Sequence, residues 1–372
     1  MRRQRGFTLI ELMVGTAVTF VTVLAVSAAF LGYTQSFYTQ AGIRGGQASL
    51  RQTHLMVVRN LRMAGYGIEP PLAFAFPTGW KGTDPSSTNP NKSDRLVFRM
   101  RDPAFNAFAT NIDTSGTAIT LKDKLRSTLR KGQIIQVVCP GALAWTYARL
   151  SADAPKDTQS LSLEPGNSTF PNINDFNPGC FGAGSGGLPV NVFKIDVYDY
   201  SIQLIDDDGD GKKDRPYLFR RHGLSEADPD AFGEPVAEDI EAMRVTFVRG
   251  DGTTFTPDPN ATAPGYDTPL DDALRKNNSP ANIRAVRIGL VARTSTRDSG
   301  VGAGNMKTIP AFGDVPELSA PAGFRRILSE MSVQVRNMRS SELPVPLYTL
   351  DTTTTDVCKG ALPTDDFNCA GG

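Results

Sequence analysis

The 372-residue chain is poor in the side chains most enzymes rely on, with two histidines and four cysteines. It contains no Gly-x-Ser-x-Gly, no His-Glu-x-x-His and no glycine-rich phosphate loop, so catalysis is not expected of it. His54 and His222 stand alone in the sequence and read as packing or surface residues. No excess of charge exists either: 39 basic residues face 39 acidic ones, scattered without a basic stripe, so nucleic acid is not expected as a direct partner. No repeat of 20–50 residues stands out, which sets aside solenoids and propellers. The scarcity that matters most is local. Between Phe7 and Leu31 there is one acidic or basic residue, Glu11, and no proline.

That run predicts a helix of about 25 residues, long enough to cross a bilayer. Arg2, Arg3 and Arg5 precede it and place the amino end on the cytoplasmic side, sending the rest of the chain outward. A secretory signal would put its apolar core before the cleavage site. Here a basic leader, residues 1–6, ends in Gly6 and the membrane segment, residues 7–31, follows at once, so a cut at Gly6-Phe7 keeps the helix. Glu11 is costly in such a helix, by about 2.5–3.5 kcal/mol on insertion scales, which marks it as a functional residue.

Gly6-Phe7-Thr8-Leu9-Ile10-Glu11 resembles the prepilin motif of type IV pilins and type II secretion pseudopilins. The resemblance implies that a prepilin peptidase cuts after Gly6 and methylates the new amino group of Phe7. It also implies that Glu11 pairs with the amino-terminal charge of a neighbouring subunit during filament assembly. Opposite charges in an apolar filament core satisfy each other, and removing one partner of such a pair costs about 3–5 kcal/mol.

Residues 32–63 continue the helix as an amphipathic segment, with Ile43, Leu50, Leu55, Val57, Val58 and Leu61 forming an apolar stripe. Glycines 42, 45 and 46 weaken its middle, each by about 1 kcal/mol relative to alanine. Gly65, Gly67, Pro70 and Pro71 end it. Residues 64–372 form an exported, β-rich domain. Strands are predicted at 95–100, 118–121, 132–139, 144–150, 192–202, 217–221, 243–248, 283–293 and 324–335. Residues 151–190 and 250–281, rich in Gly, Pro, Asn and Asp, read as long surface loops. The fold class is α+β: a long amino-terminal helix packed on an antiparallel sheet domain, which is the layout of pilins.

Cys139, Cys180, Cys358 and Cys369 all fall on the exported side, where disulfides are the default. Three connectivities are possible, and Cys139–Cys180 with Cys358–Cys369 is the favoured one. No Cys-x-x-Cys spacing or neighbouring histidine supports a metal site at any of them.

Metal chemistry is signalled elsewhere. Asp206, Asp208, Asp210 and Asp214 occupy the first, third, fifth and ninth positions of a calcium loop, Gly211 the sixth, and the carbonyl of Lys212 the seventh. Tyr217 stands at the twelfth, where a bidentate glutamate is usual, so the further oxygen comes from Glu234, Glu238 or Asp239, or from water. The alternative is an acidic hairpin tip kept soluble by its charge.

The acid-rich hairpin, the Leu218-Phe219-Arg220-Arg221 strand, the 239–247 segment, Val286-Arg287-Ile288 and 333–339 follow one another as in PilW-type minor pilins, which the chain resembles. The resemblance implies an inner-membrane precursor that joins other minor pilins and the major pilin. It implies a complex that primes the filament and stays at its tip on the cell surface, with a large non-pilin adhesin, serving motility, adhesion or DNA uptake. A minor pseudopilin of type II secretion is the nearest alternative. A pilin-anchored adhesin binding sugar through Trp80 and Trp145 is a second.

Overall fold

The computed structural model describes residues 8–68, 70–139, 144–165, 190–207, 209–222, 233–257, 280–298 and 307–338. One helix, α1 (Leu9–Leu61), dominates it, an unbroken 53 residues or roughly 80 Å at 1.5 Å per residue. Thr8 caps it: its hydroxyl accepts from the Glu11 backbone nitrogen while the Glu11 carboxylate accepts from the Thr8 backbone nitrogen, a reciprocal capping box. Gly65 and Gly67 then turn the chain in the left-handed region, φ 77° and 71°. A Cβ on Gly67 would lie 2.7 Å from the Arg101 Nε, so only glycine lets the chain leave the helix so close to the sheet.

The strands, in chain order, are β1 (Phe74–Ala75), β2 (Leu96–Arg101), β3 (Ala107–Ile112), β4 (Ala118–Leu121), β5 (Ile134–Cys139), β6 (Ala144–Arg149), β7 (Ser160–Ser162) and β8 (Val190–Ile205). They continue with β9 (Arg215–His222), β10 (Glu234–Glu238), β11 (Ile240–Val248), β12 (Thr254–Phe255), β13 (Ala285–Arg293), β14 (Thr308–Ile309), β15 (Leu318–Ser319) and β16 (Arg326–Gln334). Among the described residues β1 to β10 make one antiparallel sheet and β12-β11-β13-β16 another. β8, 16 residues long, organises the first: β2, β3, β5 and β9 all pair with it. Its length lets one strand serve several neighbours.

Both sheets contribute to one core around the carboxyl half of α1. Leu50, Val57, Val58 and Leu61 of the helix join Phe98, Tyr200 and Leu218 of the first sheet and Met243, Ile288 and Leu290 of the second. A separate cluster on β3 to β7, including Ile119, Leu121, Val137 and Leu161, forms a satellite core. The β14–β15 hairpin lays Ile309 and Phe312 against Ala242 and Val291 on the second sheet.

The nine predicted strands are all present, with ends shifted by a few residues. The stretch 151–165 departs from the expected surface loop. It pairs β7 with β4 and buries Ala154, Leu161 and Leu163, because Leu161 and Leu163 alternate with serine and so present one apolar face. Thr254–Phe255 likewise folds back on β11 from inside the second expected loop. The rest of those two stretches, 166–189 and 258–279, lies outside the described residues.

Candidate functional site

The amino-terminal half of α1 carries the first candidate function. From Leu9, 75% exposed, to Leu31, 63% exposed, large apolar side chains face outward on every side. The helix is long and apolar enough to cross a membrane. Its hydroxyls are reconciled with that environment locally. Thr16 donates to the Met13 carbonyl at 2.9 Å, Thr19 to Gly15 at 2.7 Å and Thr22 to Val18 at 2.8 Å, so these three need no water.

Glu11 has no such escape except at the helix end. Its Oε2 accepts from the Thr8 backbone nitrogen and from the Thr8 hydroxyl, both at 3.0 Å. The carboxylate is thus held on the first turn, where the helix dipole favours a negative charge. It remains exposed. This places an anion beside the amino terminus of the helix. Gly6 and Phe7 lie outside the described residues.

The carboxyl half is the docked half. Buried positions begin at Gly46 and continue through Leu50, Thr53, His54, Val57, Val58 and Leu61, at the three- and four-residue spacing that keeps one face inward. Gly46 approaches Ile327, with 3.2 Å between its would-be Cβ and the Ile327 Cδ1, and Gly42 approaches Thr294 at 3.3 Å. These glycines, expected to weaken the helix, bring it close to β13 and β16. A cleft of about 1020 Å³ opens beside them, between Tyr38, Gly42 and Gly45 of α1 and Glu238, Asp239 and Arg293 of the domain.

The second candidate is the acidic loop between β8 and β9. Asp206 braces it, accepting from the Gly209 and Gly211 backbone nitrogens at 2.7 and 2.9 Å through its two carboxylate oxygens. Asp210 accepts from the Lys212 backbone at 2.7 Å. Arg215, which motif reading did not single out, stands at its base. It binds Asp207, reaches Glu238 at 2.8 Å and Asp239 at 3.2 Å, and its hydrogen bond holds the Asp207 carboxyl below the usual range. The fold therefore brings Glu238 and Asp239 near the loop, while Glu234 pairs with Arg220 at 2.7 Å instead. Among the described residues no three acidic, histidine or cysteine side chains gather as a metal cluster. Asp208, the central expected ligand, lies outside them, as do Cys180, Cys358 and Cys369. Cys139 is buried at the end of β5 and disulfide-bonded.

The aromatic residues weighed as a sugar platform are packed. Trp80 meets Phe76 at 5.1 Å and Phe247 at 5.9 Å, edge to face, in the main core. His54 is buried on α1, 3.4 Å from the Ser329 hydroxyl, and burial pushes its pKa down.

Residues 203–337 match the family model described as Type IV Pilus-assembly protein W, and residues 1–27 match the prokaryotic N-terminal methylation motif. No curated protein matches. A type IV-like pilin from Thermus thermophilus shares 18% identity over 39% of this chain and 67% of its own, at a TM-score of 0.22. Over residues 203–337 the chain is thus similar to PilW-type pilus-assembly proteins, and over residues 1–27 to chains carrying the methylation motif.

Proposed function

We propose that this PilW-type chain is a minor pilin that takes part in type IV pilus assembly. The supporting observation is the division of α1 into a fully exposed apolar half ending in Glu11 and a half buried under two sheets. Such a subunit is held in the membrane by the free half before assembly and packs the same half against neighbours afterwards. Prepilin peptidase cuts at Gly6-Phe7 and methylates Phe7. The Glu11 carboxylate leaves Thr8 for the amino terminus of an adjacent subunit. The globular domain contacts other minor pilins and the major pilin, priming the filament and remaining at its tip with a non-pilin adhesin. Cys139 pairs with Cys180, and Cys358 with Cys369. The 206–214 loop takes calcium through Asp206, Asp208, Asp210, Lys212 and Asp214, with Glu238 or Asp239 adding an oxygen once released from Arg215.

Gene deletion with complementation tests this reading. Loss of surface pili, restored by the native chain and not by Glu11→Ala, is the expected result. Normal pili with impaired export of secreted proteins would assign the chain to a secretion pseudopilus, and normal pili with lost attachment to an adhesin role.

A further inference from the structure

The stretch of α1 between the membrane span and the docked half carries four large exposed rings: Phe30 at 69%, Tyr33 at 79%, and Phe37 and Tyr38 at 69% each. Phe30, Tyr33 and Phe37, spaced by three and four, lie on one helix face, and Tyr38 sets its ring edge-on to Phe37 at 6.1 Å. Buried positions begin only at Gly46, so Phe30, Tyr33 and Phe37 stand clear of the domain, while Tyr38 borders the cleft that the domain shares with α1. By contrast, from Leu9 to Ala29 Phe20 is the single aromatic residue.

Length places the rings at a boundary. A hydrocarbon layer of about 30 Å takes about 20 residues at 1.5 Å each, so a helix entering at Leu9 leaves it near Ala29. Phe30, Tyr33, Phe37 and Tyr38 occupy the next turns, at headgroup depth. Side chains on a helix lean toward its amino end, which swings the Tyr33 and Phe37 rings back toward the hydrocarbon edge. Rings with an apolar body and a polar tip are most favourable there. Nothing else on the helix can fix the depth at this side, because no acidic or basic residue lies between Glu11 and Arg44.

We propose that Phe30, Tyr33, Phe37 and Tyr38 form an aromatic collar that seats in the headgroup layer of the extracytoplasmic leaflet. The collar sets how far the helix emerges and holds the domain, whose docking begins at Gly46, just above the bilayer. The occupant of this helix face before assembly is phospholipid, since the face continues the membrane span without a break. The inference rests on the membrane-anchored reading of the chain.

The full chain is reconstituted into vesicles of phosphatidylethanolamine and phosphatidylglycerol as the parent and as Tyr33→Trp, and both are floated on a density gradient. The emission added by the new tryptophan is then challenged with lipids brominated near the carbonyl or near the chain end. Flotation together with stronger loss of the added emission to the shallow bromines is the expected result. Flotation with stronger quenching by the deep bromines, or with none because a neighbouring copy covers the ring, overturns the collar and leaves the anchor standing. Failure to float overturns both. A Phe37→Trp chain run in parallel separates a local effect of replacing Tyr33 from the depth of the face.

Discussion

The side-chain amide of Asn60, in the last turn of α1, donates to the hydroxyl of Tyr200 on β8 at 2.7 Å. This is the bond that pins the helix end to the longest strand of the first sheet. Tyr200 is fully buried, and burial raises its pKa, so the hydroxyl stays protonated and available as an acceptor at any physiological pH. Tyr200→Phe leaves the Asn60 amide with no partner there and should lower stability by about 1–2 kcal/mol, since Asn60 is only half-buried and water recovers part of the loss. Thermal melting of the detergent-solubilised chain measures this. In a double-mutant cycle with Asn60→Ala the losses should be less than additive, and full additivity would show that the bond contributes nothing.

Lowering the pH should loosen the helix from the second sheet through His54. Its pKa is depressed in the folded state, so the unfolded chain binds the proton more readily and stability falls with pH below the ordinary histidine value of about 6.5. Above that value the contribution is complete. Comparing the pH dependence of melting for the native chain and His54→Gln isolates the effect. The variant should lose the part of the slope between about pH 6.5 and the depressed folded value, and an unchanged slope would sink the assignment.

Gly45 and Gly46 are adjacent and should respond oppositely to substitution. A Cβ on Gly45 meets nothing within 4 Å, whereas one on Gly46 comes within 3.2 Å of Ile327. Gly45→Ala should therefore gain helix propensity, about 1 kcal/mol. Gly46→Leu should push the helix off β16 and cost about 1–3 kcal/mol by overpacking. Equal melting shifts of one sign for the two variants would contradict the close approach seen here.

Much of this fold could be read from residue pattern alone, for reasons that differ by element. Phe7 to Leu31 is apolar apart from Glu11 and a few hydroxyls, and β8 and β13 alternate or run apolar over nine residues or more. Such patterns survive any context. β3 escaped because Ala107–Ile112 mixes alanine and asparagine with few β-branched residues, and β10 because Pro235 sits inside it, tolerated only where the strand bulges between Pro235 and Ala237. At the acidic loop the spacing of aspartates was visible, but Arg215 and its hold on Glu238 and Asp239 was not. That network joins residues 23 and 24 positions apart, which only the pairing of β9 with β10 brings together.

The Asp94–Arg244 pair was hidden for the same reason, and it should be among the most sensitive positions in the domain. The two side chains, 0% and 1% exposed, meet at 3.2 Å, and Asp94 also accepts from the Gly82 and Val245 backbones at 2.8 Å each. Asp94→Ala strands a buried guanidinium and leaves two backbone donors unmatched, at a cost of about 3–5 kcal/mol. Replacing both members with apolar residues of similar volume should recover only the part due to the stranded guanidinium, because the Gly82 and Val245 nitrogens and the Lys81 ammonium, 3.1 Å from Asp94, still lose their acceptor. Chemical denaturation of the single and double variants distinguishes the two effects.

Calcium should stabilise the chain through the 206–214 loop, and the arrangement of Asp206 sets how much. Both of its carboxylate oxygens are already engaged with the Gly209 and Gly211 backbones, and Asp210 with Lys212. A cation must share or displace those bonds, which favours a weak site of the extracellular kind, in the range of about 10⁻⁴–10⁻³ M. At about 5 mM free calcium, roughly 5–50 times such a dissociation constant, the linkage would supply about 1–2 kcal/mol, visible as a rise in melting temperature. The rise should vanish in Asp208→Ala with Asp210→Ala, and magnesium, which demands a smaller octahedral shell, should reproduce little of it. No rise at several millimolar calcium would leave Asp206 as the brace of a solvated turn, with Arg215 rather than a cation balancing the acidic residues around it.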